Sequence, residues 1–111
     1  GGMRLSGGQQ ARVALARTLC HKRPVMILDD PFSAVDKATE KELYQNLRQM
    51  ASDSIILLIS HRLSLFAELD GVIWMENGHA AISTHEDLMR TNPKYAHLYR
   101  VQAEGGKMCE A

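Results

Sequence analysis

Two uninterrupted apolar runs, Val25-Met26-Ile27-Leu28 and Ile55-Ile56-Leu57-Leu58-Ile59, limit what this chain can fold into more than any other feature. Runs this short, without polar alternation, read as strands buried on both faces, the pattern of a parallel α/β sheet. The first run breaks off into Asp29-Asp30 and the second into Ser60-His61-Arg62. Between them Pro31 to Val35 form a turn, and Asp36 is placed to cap a helix whose inner face carries Leu43, Leu47 and Met50. Glu40 and Glu42 fall early in that helix and Arg48 late, as the helix dipole favours. In parallel α/β sheets ligands bind at the C-terminal edge of the strands, which is where both polar clusters are expected.

Upstream, Leu5-Ser6-Gly7-Gly8-Gln9 is a glycine-bearing turn that runs into a helical pattern. Ser6 can cap the first turn, Gly7 and Gly8 leave room for an anion at the backbone, and the first amides carry partial positive charge. Taken alone, such a tripeptide is also an ordinary serine-capped helix start. The helix is expected from Ser6 to about Arg23, with Val13, Ala16, Leu19 and Cys20 as its apolar stripe, Arg12, Arg17 and Lys22 off it, and Pro24 ending it. After the second strand, Leu63, Leu65, Phe66 and Leu69 support a short helix. Val72 to Met75, Asn77-Gly78 and Ala80 to Ile82 then read as a β-hairpin. Thr84 with Asp87 resembles a capping box opening a helix through Met89. Pro93 punctuates, and Tyr95, Leu98, Tyr99 and Val101 give a last helix, with a tail from about Glu104. No internal repeat or low-complexity stretch interrupts this order.

Thirteen Lys and Arg balance thirteen Asp and Glu among 111 residues, so no overall basic field draws the chain to nucleic acid or an anionic membrane. Anion binding has to be local. Cys20 and Cys109 form no C-x-x-C pair and suit a reduced compartment, Cys20 as a small core residue and Cys109 in the tail. No run of about 18 apolar residues is present to span a bilayer, and residues 1–20 lack the apolar core of a signal peptide. The abrupt opening at Gly1-Gly2-Met3, almost on the glycine turn, suggests the C-terminal portion of something longer.

Carboxylates and an imidazole at one sheet edge suit phosphoryl transfer. Asp29, directly after Leu28, is the candidate for Mg²⁺, a hard cation taken by one or two carboxylates together with waters and phosphate oxygens. Asp30 would orient or deprotonate an attacking water, and His61 would hydrogen-bond a γ-phosphate and sense its loss. Singly, each residue is as well explained as a turn signal or surface decoration; their order and spacing set them apart.

That order resembles the C-terminal part of an ABC-transporter ATP-binding domain over nearly all of residues 2–102. Leu5-Ser6-Gly7-Gly8-Gln9 matches the family's signature motif and Val25 to Asp29 its Walker B strand. Ser33-Ala34-Val35-Asp36 matches the D-loop and Ser60-His61-Arg62 the switch-histidine loop. Asp70 through Gly78, Thr84 to Leu88 and Tyr95 to Gln102 are similar to the closing segment of exporter-type members. The resemblance implies an α/β, P-loop NTPase-like core, of which residues 1–103 are the C-terminal portion with parallel strands, flanking helices and a terminal β-hairpin, and residues 104–111 a tail. It also implies an ATPase that uses ATP and Mg²⁺. In the family two such domains pair head to tail, as a homo- or heterodimer. Ser6, Gly7, Gly8 and Gln9 would then cap the partner's ATP, Ser33 and Asp36 would contribute through the D-loop, and Asp29, Asp30 and His61 would act on the chain's own nucleotide. A transmembrane domain would hold the assembly at the cytoplasmic face of the membrane, with no nucleic acid involved.

The chain departs from the family pattern at three places. It lacks the G-x-x-x-x-G-K-[ST] loop that cradles phosphates, so this segment alone is expected to be inactive. Asp30 stands where most members have glutamate; similar members with Asp tend to be halves of heterodimeric exporters with one slow site, although Asp30 as a serviceable base is an equal reading. Ser83 replaces the usual glycine before Thr84-His85, at a surface turn of little consequence. A soluble ABC-type ATPase of DNA repair or chromosome maintenance shares the signature and Walker B. Such proteins usually carry Glu in place of Gln9 and lack the closing helix at Tyr95–Gln102.

Overall fold

A computed structural model of the chain describes residues 6–110, with side chains as far as Gly105. Leu5 of the glycine turn lies outside the described residues. The chain divides into two compact units, one ending at His61 and the other beginning at Arg62.

The first unit holds α1 (Gly7–Cys20), β1 (Val25–Asp29), α2 (Lys37–Met50) and β2 (Ile55–Ile59). β1 and β2 pair in parallel with Val25 opposite Ile55 and Asp29 opposite Ile59. Parallel strands cannot be joined by a tight turn, and the connection runs through α2. The pairing continues one bond past the strands, where the Asp30 amide donates to the Ile59 carbonyl at 2.6 Å. Burial alternates along β1: Met26 and Leu28 are buried, whereas Val25 and Ile27 are exposed, as are Ile55, Leu57 and Ile59 on β2. The expected burial on both faces is thus corrected to one, because a sheet is covered on both sides only when elements pack on each.

α1 begins with a capping box: the Ser6 hydroxyl accepts from the Gln9 amide at 3.1 Å, and the Gln9 side chain accepts from the Ser6 amide at 2.9 Å. It buries Ala11 and Leu15, not Val13 and Ala16, and Cys20 is exposed instead of lying in the core. The register of the stripe is set by α2, with which α1 shares a shallow groove lined by Leu15, Leu19, Leu43 and Leu47. The Arg12–Glu42 ion pair, at 3.3 Å, bridges the two helices. α2 is capped by Asp36, which accepts from the Thr39 amide at 2.7 Å, and it buries Leu43, Tyr44 and Leu47. Met50, expected on the inner face, is exposed. Glu40, in the first turn, is buried, at 2% exposure.

The second unit holds a 3₁₀ helix (Leu63–Glu68), the antiparallel hairpin β3 (Val72–Glu76) and β4 (His79–Ser83), α3 (His85–Thr91) and α4 (Pro93–Glu110). Asn77 and Gly78 turn the hairpin with φ of 52° and 78°, the two left-handed residues that a tight hairpin turn demands. Thr84 caps α3 by accepting from the Asp87 amide at 3.1 Å, but the box is not closed, since the Asp87 carboxylate pairs with Arg90 at 2.7 Å. Leu63, Val72, Leu88 and Tyr95 form the core, with Phe66, Trp74, Met89 and Tyr99 against it. Trp74 meets Tyr95 edge to face at 6.1 Å between ring centres, and His85 Nδ1 lies 2.8 Å from the Tyr95 hydroxyl. Lys94 and the Trp74 indole both engage the Glu76 carboxylate, which holds its pKa below the usual carboxylate value. α4 continues through the stretch expected as a tail from Glu104 and ends at Glu110. Among the described residues no helix is long and apolar enough to cross a membrane.

Candidate functional site

Asp29, Asp30, Ser60 and His61 leave two neighbouring parallel strands at the same end, so register alone brings them to one sheet edge. Asp29 is the last residue of β1 and follows the strand's alternation onto the exposed face. Asp30 breaks the strand: its φ is +49°, a left-handed conformation that aspartate tolerates better than most residues. That twist takes Asp30 out of the pleat and aims its carboxylate at the second strand's exit. Its Oδ2 lies 2.9 Å from His61 Nδ1, with the imidazole 67% exposed and the carboxylate 38% exposed.

The loop from Pro31 to Val35 is tied down at both ends. The Ser33 amide donates to the Asp30 carbonyl at 3.3 Å and the Val35 amide to the Phe32 carbonyl at 3.2 Å, while Phe32 and Val35 are buried. Ser33 is exposed. Asp36 serves as the cap of α2 described above.

Ser6, Gly7, Gly8 and Gln9 form the start of α1 in the same unit. The two glycines differ. A Cβ on Gly7 would stand 2.0 Å from the carbonyl oxygen of Ala34, whereas one on Gly8 would come no nearer than 3.4 Å to Thr39 Cγ2 and 4.0 Å to Ser6 Oγ. Room for an anion was the expected reason for both glycines; at Gly7 the space beside the Cα is taken by the chain's own loop. Sequence reasoning had no signal for this contact, since Ala34 lies 27 positions away (34 − 7) and carries no distinctive side chain. It also had no signal for the buried Glu40.

A carboxylate beside an imidazole at an exposed edge can accept or hold a proton for a bound water. For a cation, Asp29 supplies one hard oxygen donor group, and among the described residues no three metal-ligating side chains cluster. The donor set therefore fits a cation that takes most of its ligands from phosphate and water, as Mg²⁺ does, and not a dedicated protein cage.

Residues 1–33 match the family model described as ABC transporter. The chain is 38% identical over 99% of its length to an ATM1-type heavy metal exporter of Novosphingobium aromaticivorans. It is also 38% identical, over 94% of its length, to an ATP-dependent lipid A-core flippase of Alkalilimnicola ehrlichii. It spans 18% of the length of each of these relatives. A solved structure of a bacterial Atm1-family ABC exporter with ATP bound superimposes with a TM-score of 0.78 at 38% identity, covering 89% of this chain and 18% of that one. The mixed α/β architecture is thus that of an ABC exporter ATPase, P-loop NTPase-like in fold. Together with the strand exits and the capped glycine turn, these likenesses support reading the chain as part of the nucleotide-binding domain of an ABC exporter.

Proposed function

We propose that this chain is the capping and hydrolytic part of the motor of an ABC exporter, one that couples ATP hydrolysis to movement of a substrate across a membrane. The observation that carries the reading is the Asp30 carboxylate held 2.9 Å from His61 Nδ1 at the C-terminal edge of the parallel strands. Asp30 is the general base or water-orienting group. The hydrogen bond fixes its carboxylate in direction, so the lone pair that takes a proton from water is presented in one orientation. With Nδ1 engaged by Asp30, a γ-phosphate oxygen is met by His61 Nε2, which donates when the ring carries both protons. Asp29 would hold Mg²⁺, which when bound neutralises developing charge on the phosphate oxygens.

Ser6, Gly7, Gly8 and Gln9 act on a nucleotide bound by a second ATP-binding domain paired head to tail. The capped helix start presents its amides and partial positive charge to that γ-phosphate. Ser33 and Asp36 lie on the loop that follows the base and complete the interface. A transmembrane domain would place the assembly at the cytoplasmic face of the membrane. Closure on ATP and reopening after hydrolysis would switch that domain between its two orientations.

The test is ATP turnover by the full-length protein in lipid bilayers. Asp30→Asn and His61→Ala are each expected to lower kcat on the order of 10²-fold or more, with little change in melting temperature. Unchanged turnover in both variants would refute the assignment. A gain on Asp30→Glu would mark Asp30 as the base of a weak site in a heterodimer; rapid turnover as a homodimer with no such gain would discard that refinement.

A further inference from the structure

We propose that Gly7 is a positioning residue, whose lack of a Cβ lets the Ala34 carbonyl rest on the start of α1 and so couples the signature turn to the loop that carries Asp30. The inference rests on the reading of Ser6–Gln9 as a cap for a partner-bound nucleotide. It concerns how that cap is felt elsewhere in this chain.

An ideal Cβ on Gly7 would lie 2.0 Å from the Ala34 oxygen, 3.0 Å from its carbonyl carbon and 3.4 Å from its Cβ. The obstacle is main chain, not a flexible side-chain end, so it yields only if the loop or the helix start shifts. Neither end gives way easily. The helix start is closed by the reciprocal Ser6–Gln9 hydrogen bonds. The loop is anchored by buried Phe32 and Val35 and by Asp36 at the head of α2. A displacement of Ala34 is passed to its neighbour Ser33, whose amide is bonded to the Asp30 carbonyl, and Asp30 in turn holds His61. The path from the cap to the base is therefore a continuous set of packed and hydrogen-bonded groups that runs through Ala34 and Ser33.

Gly8 does not share this role, because a Cβ there meets Thr39 Cγ2 at ordinary contact distance. Adjacent glycines in the same turn thus serve different ends. Gly7 seats the loop, and Gly8 is the position at which an approaching phosphate governs what is tolerated.

Gly7→Ala in the full-length protein is expected to lower kcat at saturating ATP on the order of tenfold or more, since a displacement of about 1 Å at a reacting group costs that much or more. Affinity for ATP, held by the rest of the domain, should stay within about twofold. Adding Ala34→Gly gives the loop backbone freedom to turn its carbonyl aside and should recover part of the lost kcat. A kcat within about twofold of the parent for Gly7→Ala, or a loss that Ala34→Gly does not relieve, overturns the proposal. Should Gly7→Ala fail to fold, hydrogen exchange on the nucleotide-free protein decides, where no closed interface covers either segment. Opening the capping box with Ser6→Ala should speed exchange at 32–35 as well as at 6–9, and faster exchange confined to 6–9 refutes the coupling. A parent protein without ATP turnover would count against the proposed function, and the exchange result, which needs no turnover, would still judge the coupling.

Discussion

Asp30 combines two demands on one residue. Its backbone must adopt a φ of +49° to leave the strand, and its carboxylate must reach His61. A left-handed conformation costs roughly 1–2 kcal/mol for a residue with a Cβ, a penalty that aspartate lessens by local hydrogen bonding and glycine escapes. The two demands separate by substitution. Asp30→Gly relieves the backbone and loses the carboxylate; Asp30→Ala loses the carboxylate and keeps the strain. Both variants of the full-length protein are expected to lose hydrolysis alike. In thermal unfolding Asp30→Ala should be the less stable of the pair by about 1 kcal/mol. Equal stabilities would mean that the strand exit relaxes once the carboxylate is gone, and that the left-handed turn is imposed by His61 and not by the loop.

The closing elements offer a test by pH. Tyr95 on α4 is 1% exposed, packed by Trp74, His85 and Tyr99. Burial first, and then the neighbouring Tyr99, push its pKa from 10.0 up to about 12. Below pH 10 the phenol is neutral whether folded or not, and it adds no pH dependence. Between 10 and about 12 the unfolded chain has lost a proton that the folded one retains, so stability falls as pH rises. Unfolding followed from neutral to alkaline pH should show that fall in the parent and a shallower one in Tyr95→Phe. The elements themselves were legible because their signals are local: Asn77-Gly78 dictates a hairpin, Ser6, Asp36 and Thr84 cap helices, and Pro24 and Pro93 punctuate. Which face each element buries was less so. Cys20 and Met50 fit the periodic stripes yet are exposed, and Glu40 is buried against its type, because the buried face is chosen by the partner helix and not by the helix's own pattern. The edge site followed from strand order alone, since any polar residue after a parallel strand arrives there. The Gly7–Ala34 contact had to be seen, as nothing in either residue's type announces it.

Across the whole chain the proposed roles belong to different nucleotides. Asp29, Asp30 and His61 sit at one sheet edge, and in the proposed head-to-tail pair the turn at Ser6–Gln9 faces the other domain's ligand. These 111 residues contain no G-x-x-x-x-G-K-[ST] loop to hold either one. Catalysis by positioning needs the phosphate fixed against the base, and a base without that cradle has nothing to act on. One face of the β1–β2 pair also remains apolar and exposed, with Val25, Ile27, Ile55, Leu57 and Ile59 side by side, a surface that favours association of the separated chain over a soluble monomer. The 111-residue chain, prepared alone, is therefore expected to show no ATP turnover above buffer and to self-associate as its concentration rises. Turnover measured by phosphate release, abolished by His61→Ala, would show that this segment holds a nucleotide by itself. It would also return the signature turn to the role of gripping an anion for its own domain.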